Sequence, residues 1–424
     1  MTENSAVLKL VVLGQGYVGL PLALRAVEVG LDVVGYDLDD AISKRLAAGD
    51  SQVEDIAPAR LQAALDSGRY RPTSRPEDCA DFDVAVIAVP TPLKDGSPDL
   101  SHIEEAGATI GQRLRRGSTV VLESTTYPGT TEELLVPILE ERSGLSAGAD
   151  FHVGYSPERL EPGKPAHDLV STPKLVSGID PESLQVVQGF YSRLVDTTQA
   201  VANPKVAELA KLLENTFRHV NIALVNEMAM FANDLGINVW DVIEAASTKP
   251  FGFMRFEPGP GVGGHCLPID PSYLSWQVRR RLGQSFRFVE LANDVNDHMP
   301  DYVVSRLTAA MNRSRQPVNG SRILLLGLAY KRNTGDAREA PATRIVQQLL
   351  ALEAELRVVD PYVDDRWLDP RVTRVELTAD EISAADAVVV VADHDAFDYD
   401  LVARHARYVL DTRHRVTGEQ VEYL

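Results

Sequence analysis

Lys9-Leu10-Val11-Val12-Leu13-Gly14-Gln15-Gly16-Tyr17-Val18-Gly19 decides the fold class of this chain. A short, mostly apolar run ends in glycine and passes directly into a stretch with helical spacing, so the segment reads as strand, tight turn and helix. Gly14, Gly16 and Gly19 allow the turn and let backbone amides come close to a pyrophosphate, with Gln15, Tyr17 and Val18 as the intervening loop residues. The spacing alone is weak, because a glycine turn that merely packs helix on strand looks the same. Asp37 strengthens it by closing a second apolar run, Val33-Val34-Gly35-Tyr36, where a carboxylate is expected to accept from a ribose 2′-hydroxyl. Such a carboxylate repels a 2′-phosphate, so the expected cofactor is NAD rather than NADP.

Outward from this turn, apolar runs recur at residues 84–89 and 119–122 with helix-like stretches between them, the rhythm of βαβ units and a parallel sheet. The rhythm returns late in the chain, at 322–326 before glycine, 355–359 before Asp-Pro, 387–391 before Ala-Asp-His and 407–410 before Asp411. Between the two, residues 204–236 lack internal glycine and proline and carry apolar residues at helical spacing (Leu209, Leu212, Leu213, Phe217, Val220, Leu224), which predicts one long helix. A second helical block is expected over 271–315, and the Pro/Gly-rich stretch 249–270 suits neither element. Long loops in compact proteins are usually functional. The expected architecture is α/β: two doubly wound Rossmann-like domains, 1–203 and 317–424, joined by a long central helix and a helical domain, 204–316.

The 424 residues carry 42 basic and 61 acidic side chains, a net charge of −19, so a nucleic-acid backbone is repelled overall and phosphate must be bound locally. Loop amides, helix N-termini and a few placed cations do this in soluble enzymes. No apolar run approaches the roughly 18 residues that span a bilayer, and residues 1–6 lack the layout of a signal peptide. Cys79 and Cys266 are too few for a disulfide framework, so the cytoplasm is the expected compartment, and no metal is expected.

Cys266 lies in Gly263-Gly264-His265-Cys266-Leu267-Pro268-Ile269-Asp270-Pro271, where glycines free the backbone and a helical block follows. A thiol near a helix N-terminus is activated as a nucleophile. The rival reading, an inert buried filler, suits Cys79 better. His265 receives no base role, since adjacent side chains often diverge. Asp270, four residues after Cys266, shares its face if the helix begins there and then orients or deprotonates a water; capping the helix is the equal alternative. Lys211 and Asn215, four apart on the long helix, present a cation and an amide that together hold an oxyanion, against the rival of a solvated pair among solvent-facing Glu208 and Glu214. Glu158, Arg159 and Glu161 share the loop Ser156-Pro157-Glu158-Arg159-Leu160-Glu161-Pro162-Gly163, which suits acid/base work with anion binding or a plain surface turn. Thr91 in Val89-Pro90-Thr91-Pro92 and Thr125 in Glu123-Ser124-Thr125-Thr126 place hydroxyls at the carboxyl edge of the sheet, where ligands bind, unless they only close turns.

Taken together these residues resemble the UDP-glucose and GDP-mannose dehydrogenase family over essentially the full chain. The nucleophile motif around Cys266, the central-helix Lys211 and Asn215, Glu123-Ser-Thr-Thr-Tyr-Pro-Gly129, and Gly327-Leu-Ala-Tyr-Lys331 with Asp336, Arg338 and Glu339 all fit. The resemblance implies two hydride transfers from C6 of a nucleotide sugar to NAD, with Cys266 attacking the intermediate aldehyde and water hydrolysing the thioester. It implies oxyanion stabilisation by Lys211 and Asn215, water and proton handling by Asp270 and Glu158, Thr125 beside the nicotinamide, and a cofactor-side role for Glu161. Residues 1–203 become the NAD-binding domain, 204–316 the central domain with the Cys loop and dimer interface, and 317–424 the domain for the UDP-sugar. Lys331 and Arg338 become its phosphate partners, Gly263 part of the substrate wall, and Arg255 a residue reaching a neighbouring subunit's substrate in a homodimer or larger homo-oligomer.

Within the family, Ser-Pro-Glu-Arg followed by Pro-Gly, Arg218-His219-Val-Asn221, and Lys249-Pro-Phe-Gly-Phe resemble the N-acetylhexosamine branch, with Arg159 meeting an N-acetyl carbonyl or a phosphate. UDP-N-acetylglucosamine is the favoured substrate, the mannosamine and galactosamine epimers and UDP-glucose the alternatives. Two readings from other classes are a two-electron dehydrogenase of the 6-phosphogluconate or hydroxyacyl type, opposed by Cys266 and the second nucleotide domain, and a catalytically silent nucleotide-sugar binder, which needs neither Cys266 nor Lys211.

Overall fold

Leu10, Val11, Val12 and Leu13 are each at most 1 % exposed, so the opening strand is covered on both faces, as the centre of a parallel sheet requires. The computed structural model describes residues 7–53, 56–94, 96–159, 169–264 and 267–424. The chain forms two units, Met1–Glu214 and Asn215–Leu424. Each carries one doubly wound sheet, so the fold is α/β as expected.

In the first unit the strands are β1 (Lys9–Leu13), β2 (Asp32–Tyr36), β3 (Tyr70–Thr73), β4 (Val84–Ile87), a hairpin of β5 (Leu93–Lys94) and β6 (Ser97–Pro98), β7 (Thr119–Leu122), β8 (His152–Tyr155), β9 (Lys174–Gly178) and β10 (Thr198–Ala200). Eight of them form a sheet in the order β10-β9-β8-β7-β4-β1-β2-β3. Alternate residues of the strands feed two hydrophobic layers, Leu10, Val12, Val33 and Val86 on one face and Val11, Leu13, Val34 and Ile87 on the other. The chain winds one way from β1 to β2 and β3, then the other way from β4, so the switch point lies between β1 and β4, the ligand position of such sheets. The sheet departs from the expected all-parallel form in one respect: β9 and β10 are parallel to each other, but β9 pairs with β8 antiparallel.

The helix Pro204–Asp234 realises the predicted long helix, and the boundary between the units falls within it. The helical block predicted over 271–315 is two helices, Asp270–Leu282 and Arg287–Arg313, with Gly283 as the left-handed C-cap of the first.

In the second unit β11 (Arg322–Leu326), β12 (Glu355–Val359), β13 (Thr373–Arg374), β14 (Ala387–Val390), β15 (Val409–Asp411) and β16 (Val421–Tyr423) form an all-parallel sheet ordered β13-β12-β11-β14-β15-β16. Its central turn copies the first sheet. Gly327 has φ +89° and a Cβ there would lie 2.6 Å from the Ala392 carbonyl oxygen, as Gly14, also at +89°, would place one 2.4 Å from that of Ala88. Asp360, just past β12, accepts from the backbone N–H groups of Leu328 (2.6 Å), Ala329 (3.3 Å), Tyr362 (2.9 Å) and Val363 (2.9 Å). His394 accepts from the Asn333 N–H through Nδ1 (2.9 Å), which assigns its proton to Nε2, 3.1 Å from Asp360 Oδ2. Burial pushes the Asp360 carboxyl up, but His394 and the backbone donors outweigh it and hold it at about 2.

This depressed group stabilises the fold fully above its ordinary value of 3.8 and loses its contribution, about 2 kcal/mol, as pH falls toward 2. Asp360→Asn, which turns an amide toward these donors, is expected to cost roughly 2–4 kcal/mol at pH 7 and to flatten the fall of stability between pH 4 and 2, read by urea unfolding across that range.

Candidate active site

Asp37 ties the first glycine turn together. Its Oδ2 accepts from the Gln15 backbone N–H (2.8 Å) and its Oδ1 from that of Asp39 (3.0 Å). Gly19 is required by packing, since a Cβ would lie 1.9 Å from the Gly14 carbonyl oxygen. Gly16 is required by neither packing nor backbone: a Cβ there would meet nothing within 4 Å and its φ is ordinary. Its missing side chain therefore leaves room beside the half-buried Tyr17 and Val18, and the turn fits a dinucleotide pyrophosphate. Gln15 contributes its backbone to this surface while its buried side chain points inward, donating to the Val12 carbonyl (2.9 Å) and accepting from Tyr70 Oη (2.7 Å).

The loops after β4 and β7 complete this edge. Ser124 Oγ donates to the Val89 carbonyl (2.8 Å), joining the two loops. Thr91 is buried, while Thr125 is half-exposed and its hydroxyl makes none of the hydrogen bonds among the described residues. Farther along, Glu158 is held by Lys174 Nζ (3.3 Å), and Arg159 turns its guanidinium to Glu214 (2.7 Å) and the Pro173 carbonyl (2.7 Å). Glu158 and Arg159 are thus tied down by neighbouring elements rather than standing on a free surface turn. Glu161 lies outside the described residues.

On the long helix, Glu208 is not the solvent-facing residue expected from its charge. It is fully buried and accepts from the Gly129 N–H (2.6 Å), the Thr131 N–H (2.9 Å) and Thr131 Oγ1 (2.7 Å), so it anchors the end of the Thr125 loop; burial pushes its carboxyl up despite these donors. Lys211, one turn on, is 8 % exposed and makes no hydrogen bond or ion pair among the described residues. Its side chain is thus mostly covered by protein, which argues against a solvated surface pair.

In the second unit Asn215 and Asp270, both buried, meet directly: Asn215 Nδ2 donates to Asp270 Oδ2 at 2.6 Å. The N-cap of its helix is Ile269, with no side-chain cap bond, so Asp270 is held by Asn215 instead of capping. Arg218 Nη2 lies 3.3 Å from Asn215 Oδ1. His219 is closed in by two asparagines, with Nε2 2.7 Å from Asn293 Oδ1 and Nδ1 3.4 Å from Asn296 Nδ2, and burial lowers its pKa. Asn296 continues to Asn226, whose Oδ1 takes the Gly259 N–H (2.9 Å), so this network anchors the 249–270 loop.

The same loop runs against the third signature. A Cβ on Gly263 would lie 2.5 Å from the Glu339 carbonyl oxygen, one on Gly264 (φ +83°) would lie 2.6 Å from the Tyr330 ring, and the Gly264 N–H donates to the Arg338 carbonyl (3.1 Å). His265 and Cys266 follow directly in sequence and lie outside the described residues. Lys331 is half-buried, and Arg338 grips Asp336 with Nε (2.9 Å) and Nη2 (2.6 Å). Arg255 is committed within this chain to Glu244 (2.6 Å) and Glu257 (3.0 Å). Sequence reasoning passed over two groups at these edges, Lys174 and Arg413. Arg413 donates through Nε to the Val391 carbonyl (3.0 Å) and would lie 2.6 Å from a Cβ on Gly259, with no ion pair among the described residues. Its position just past Asp411, at the end of an apolar run, was the available signal.

Residues 8–195 match the NAD binding domain of the UDP-glucose/GDP-mannose dehydrogenase family, residues 205–298 its central domain and residues 324–418 its UDP binding domain. UDP-N-acetyl-D-glucosamine 6-dehydrogenase of Pseudomonas aeruginosa is 38% identical over 396 residues, 92% of this chain and 91% of that protein. NDP-N-acetyl-D-galactosaminuronic acid dehydrogenase of Ralstonia solanacearum is 37% identical over 414 residues, 95% of each. The solved structure of UDP-D-ManNAc dehydrogenase from Pyrococcus horikoshii matches with a TM-score of 0.89 at 34% identity, covering 98% of this chain and 99% of that one.

Asp37→Ala removes the acceptor beside the turn and is expected to weaken NAD binding roughly 10- to 100-fold and to erase its preference over NADP, whereas Asp37→Asn, which keeps an acceptor for the Gln15 N–H, retains more of the affinity; fluorescence titration with both dinucleotides reads this.

Proposed function

Because the chain belongs to the UDP-glucose/GDP-mannose dehydrogenase family and is an NAD-dependent nucleotide-sugar dehydrogenase, we propose that it oxidises the C6 hydroxyl of a UDP-N-acetylhexosamine, UDP-N-acetylglucosamine first, to the carboxylate through a thioester on Cys266. The observation that carries the reading is the Asn215–Asp270 hydrogen bond. It joins two residues 55 apart in sequence, one from the helix of Lys211 and the other four residues past Cys266. Arg159 in Ser-Pro-Glu-Arg supports the N-acetylhexosamine choice, and three relatives named for three N-acetylated sugars accord with it.

NAD, held by the turn 14–19 with Asp37 and flanked by Thr91, Thr125 and Glu161, supplies the hydride acceptor for both oxidations. Glu158 takes the proton released as the C6 alcohol becomes an aldehyde. The Cys266 thiolate adds to that aldehyde, forming a C–S bond, and Lys211 and Asn215 stabilise the alkoxide. Loss of the second C6 hydrogen leaves a thioester. A water held by Asp270 then adds to its carbonyl, the C–S bond breaks, and thiolate and carboxylate are released with the remaining protons. Covalent attachment keeps the aldehyde from escaping.

Lys331 and Arg338 hold the diphosphate, the latter prefixed by Asp336, with Gly263, Arg218 and Arg159 on the substrate wall and His219 supporting it from behind. Division at 203/204 and 316/317 then separates NAD half, Cys loop and UDP half. Leu213, Phe217, Leu224, Met228 and Phe231 are exposed on the long helix at intervals of three, four and seven residues, an apolar stripe that suits a homodimer or higher assembly through the central helices, with Arg255 near its partner. No helix among the described residues is long and apolar enough to cross a membrane. The use of cysteine supports a cytoplasmic site of action.

With limiting UDP-N-acetylglucosamine and excess NAD, two NADH per sugar are expected, and Cys266→Ala is expected to form at most one. Lys211→Ala is expected to lower kcat by roughly 10²- to 10³-fold. Two equivalents from UDP-glucose and none from N-acetylated sugars would overturn the substrate, and one equivalent from the wild type would overturn the thioester.

A further inference from the structure

Lys174 stands between two carboxylates, and only one of them has a part in the chemistry proposed above. Its Nζ lies 2.7 Å from Glu123 Oε1 and 3.3 Å from Glu158 Oε2, and the three side chains are 3 %, 0 % and 12 % exposed. Strand direction brings it there. The parallel strands deliver their last residues to the ligand edge, as β7 does with Glu123 just beyond Leu122. β9 runs the other way against β8, pairing Tyr155 with Ser177 and Gly154 with Gly178, so its first residue comes to that edge, level with Glu158. Ser156 Oγ to the Leu175 carbonyl (2.7 Å) and Ser177 Oγ to the Tyr155 carbonyl (2.8 Å) lock this register.

Lys174 serves both carboxylates from one ammonium. Glu123 Oε1 also takes the Tyr191 hydroxyl (2.7 Å), while Glu123 Oε2 is buried with no hydrogen-bond partner among the described residues. The Tyr191 ring faces the ammonium, 5.3 Å from its centroid. Of the other titratable groups here, Tyr155 is fully buried at the end of β8, and Arg159 gives Glu158 only its backbone N–H while its guanidinium turns to Glu214. Burial pushes Glu123 up against the pull of Lys174; burial also works against the Lys174 ammonium, but the two carboxylates outweigh it and its pKa lies above the usual lysine value. Charges this close at a buried site act on one another, so a change at either acid is felt at the shared ammonium.

We propose that Lys174 is a positioning residue for the oxidation: its ammonium fixes the Glu158 carboxylate at the ligand edge, and Glu123 is a second claimant on that ammonium that sets how firmly Glu158 is held. The proposal rests on the part given to Glu158 above. Removing the cation takes away the charge that holds the Glu158 carboxylate; removing the charge of Glu123 leaves the cation to Glu158 alone.

The test is the pH dependence of kcat for full-length wild type, Lys174→Met, Lys174→Arg, Glu123→Gln and Glu158→Gln with saturating NAD and UDP-sugar, beside their thermal unfolding. Lys174→Met is expected to lose roughly 10- to 100-fold in kcat with KM for the sugar within about threefold, and its acidic limb to move up by about one pH unit. Lys174→Arg keeps the wild-type limb and Glu123→Gln moves it down. A Lys174→Met enzyme whose limb stays in place, or a Glu123→Gln limb that stays or moves up, overturns the proposal. If Lys174→Met does not fold, Lys174→Arg and Glu123→Gln decide alone. Full activity of Glu158→Gln would instead defeat the role given to Glu158, a separate failure that these limbs do not mimic.

Discussion

Asp37 and Asp360 each follow the second strand of a doubly wound sheet, and each accepts a hydrogen bond from a backbone N–H just past the glycine that ends the first strand. That bond fixes the turn on which a ligand must lie. It demands a glycine at the strand end, because the chain there takes φ +89° with the neighbouring loop's carbonyl within 2.6 Å of where a Cβ would be. It also demands an acid, since the N–H groups on the bend have no strand partner. The two turns are then put to different use: Asp37 sits half-exposed beside an open Gly16, while Asp360 is buried under His394 and becomes part of the framework.

Buried charge is the second theme. Glu123, Lys174 and Glu208 are all buried, and none is an isolated charge. Each is held by groups from a different element, so that loops with no regular structure of their own are pinned where the sheet ends. The cost of desolvating such groups is large, and satisfying them from several directions makes the arrangement stiff as well as stable.

Much of this was legible in the sequence wherever one segment carried its own signal. The strand–glycine–helix turn, Asp37, the second sheet and the long helix all follow from local periodicity. Strands β3, β8 and β9 were not, each carrying Pro72, Gly154 or Gly178 in a short run, nor was β10, three residues with two polar ones. Glu208 looked solvated because charged residues on a helix usually are, and its partners are 77 and 79 residues away. The partner that holds Asp270, Asn215, lies 55 residues earlier in the chain. Lys174 was invisible for a further reason: its place depends on strand direction, which side-chain alternation does not encode.

The capture of the Gly129–Thr131 turn by Glu208 has a bearing on how this chain can vary. Successive residues of an α-helix are about 100° apart around its axis, so Glu208 and Lys211, three positions apart, point to nearly the same side. One added or deleted residue between Pro204 and Glu208 would rotate the remainder of the helix by that angle unless the preceding loop absorbed it. The buried Glu208 and the mostly covered Lys211 would swing out together. The length of the segment is therefore frozen, and homologous chains should align through it without gaps even where few of their residues agree.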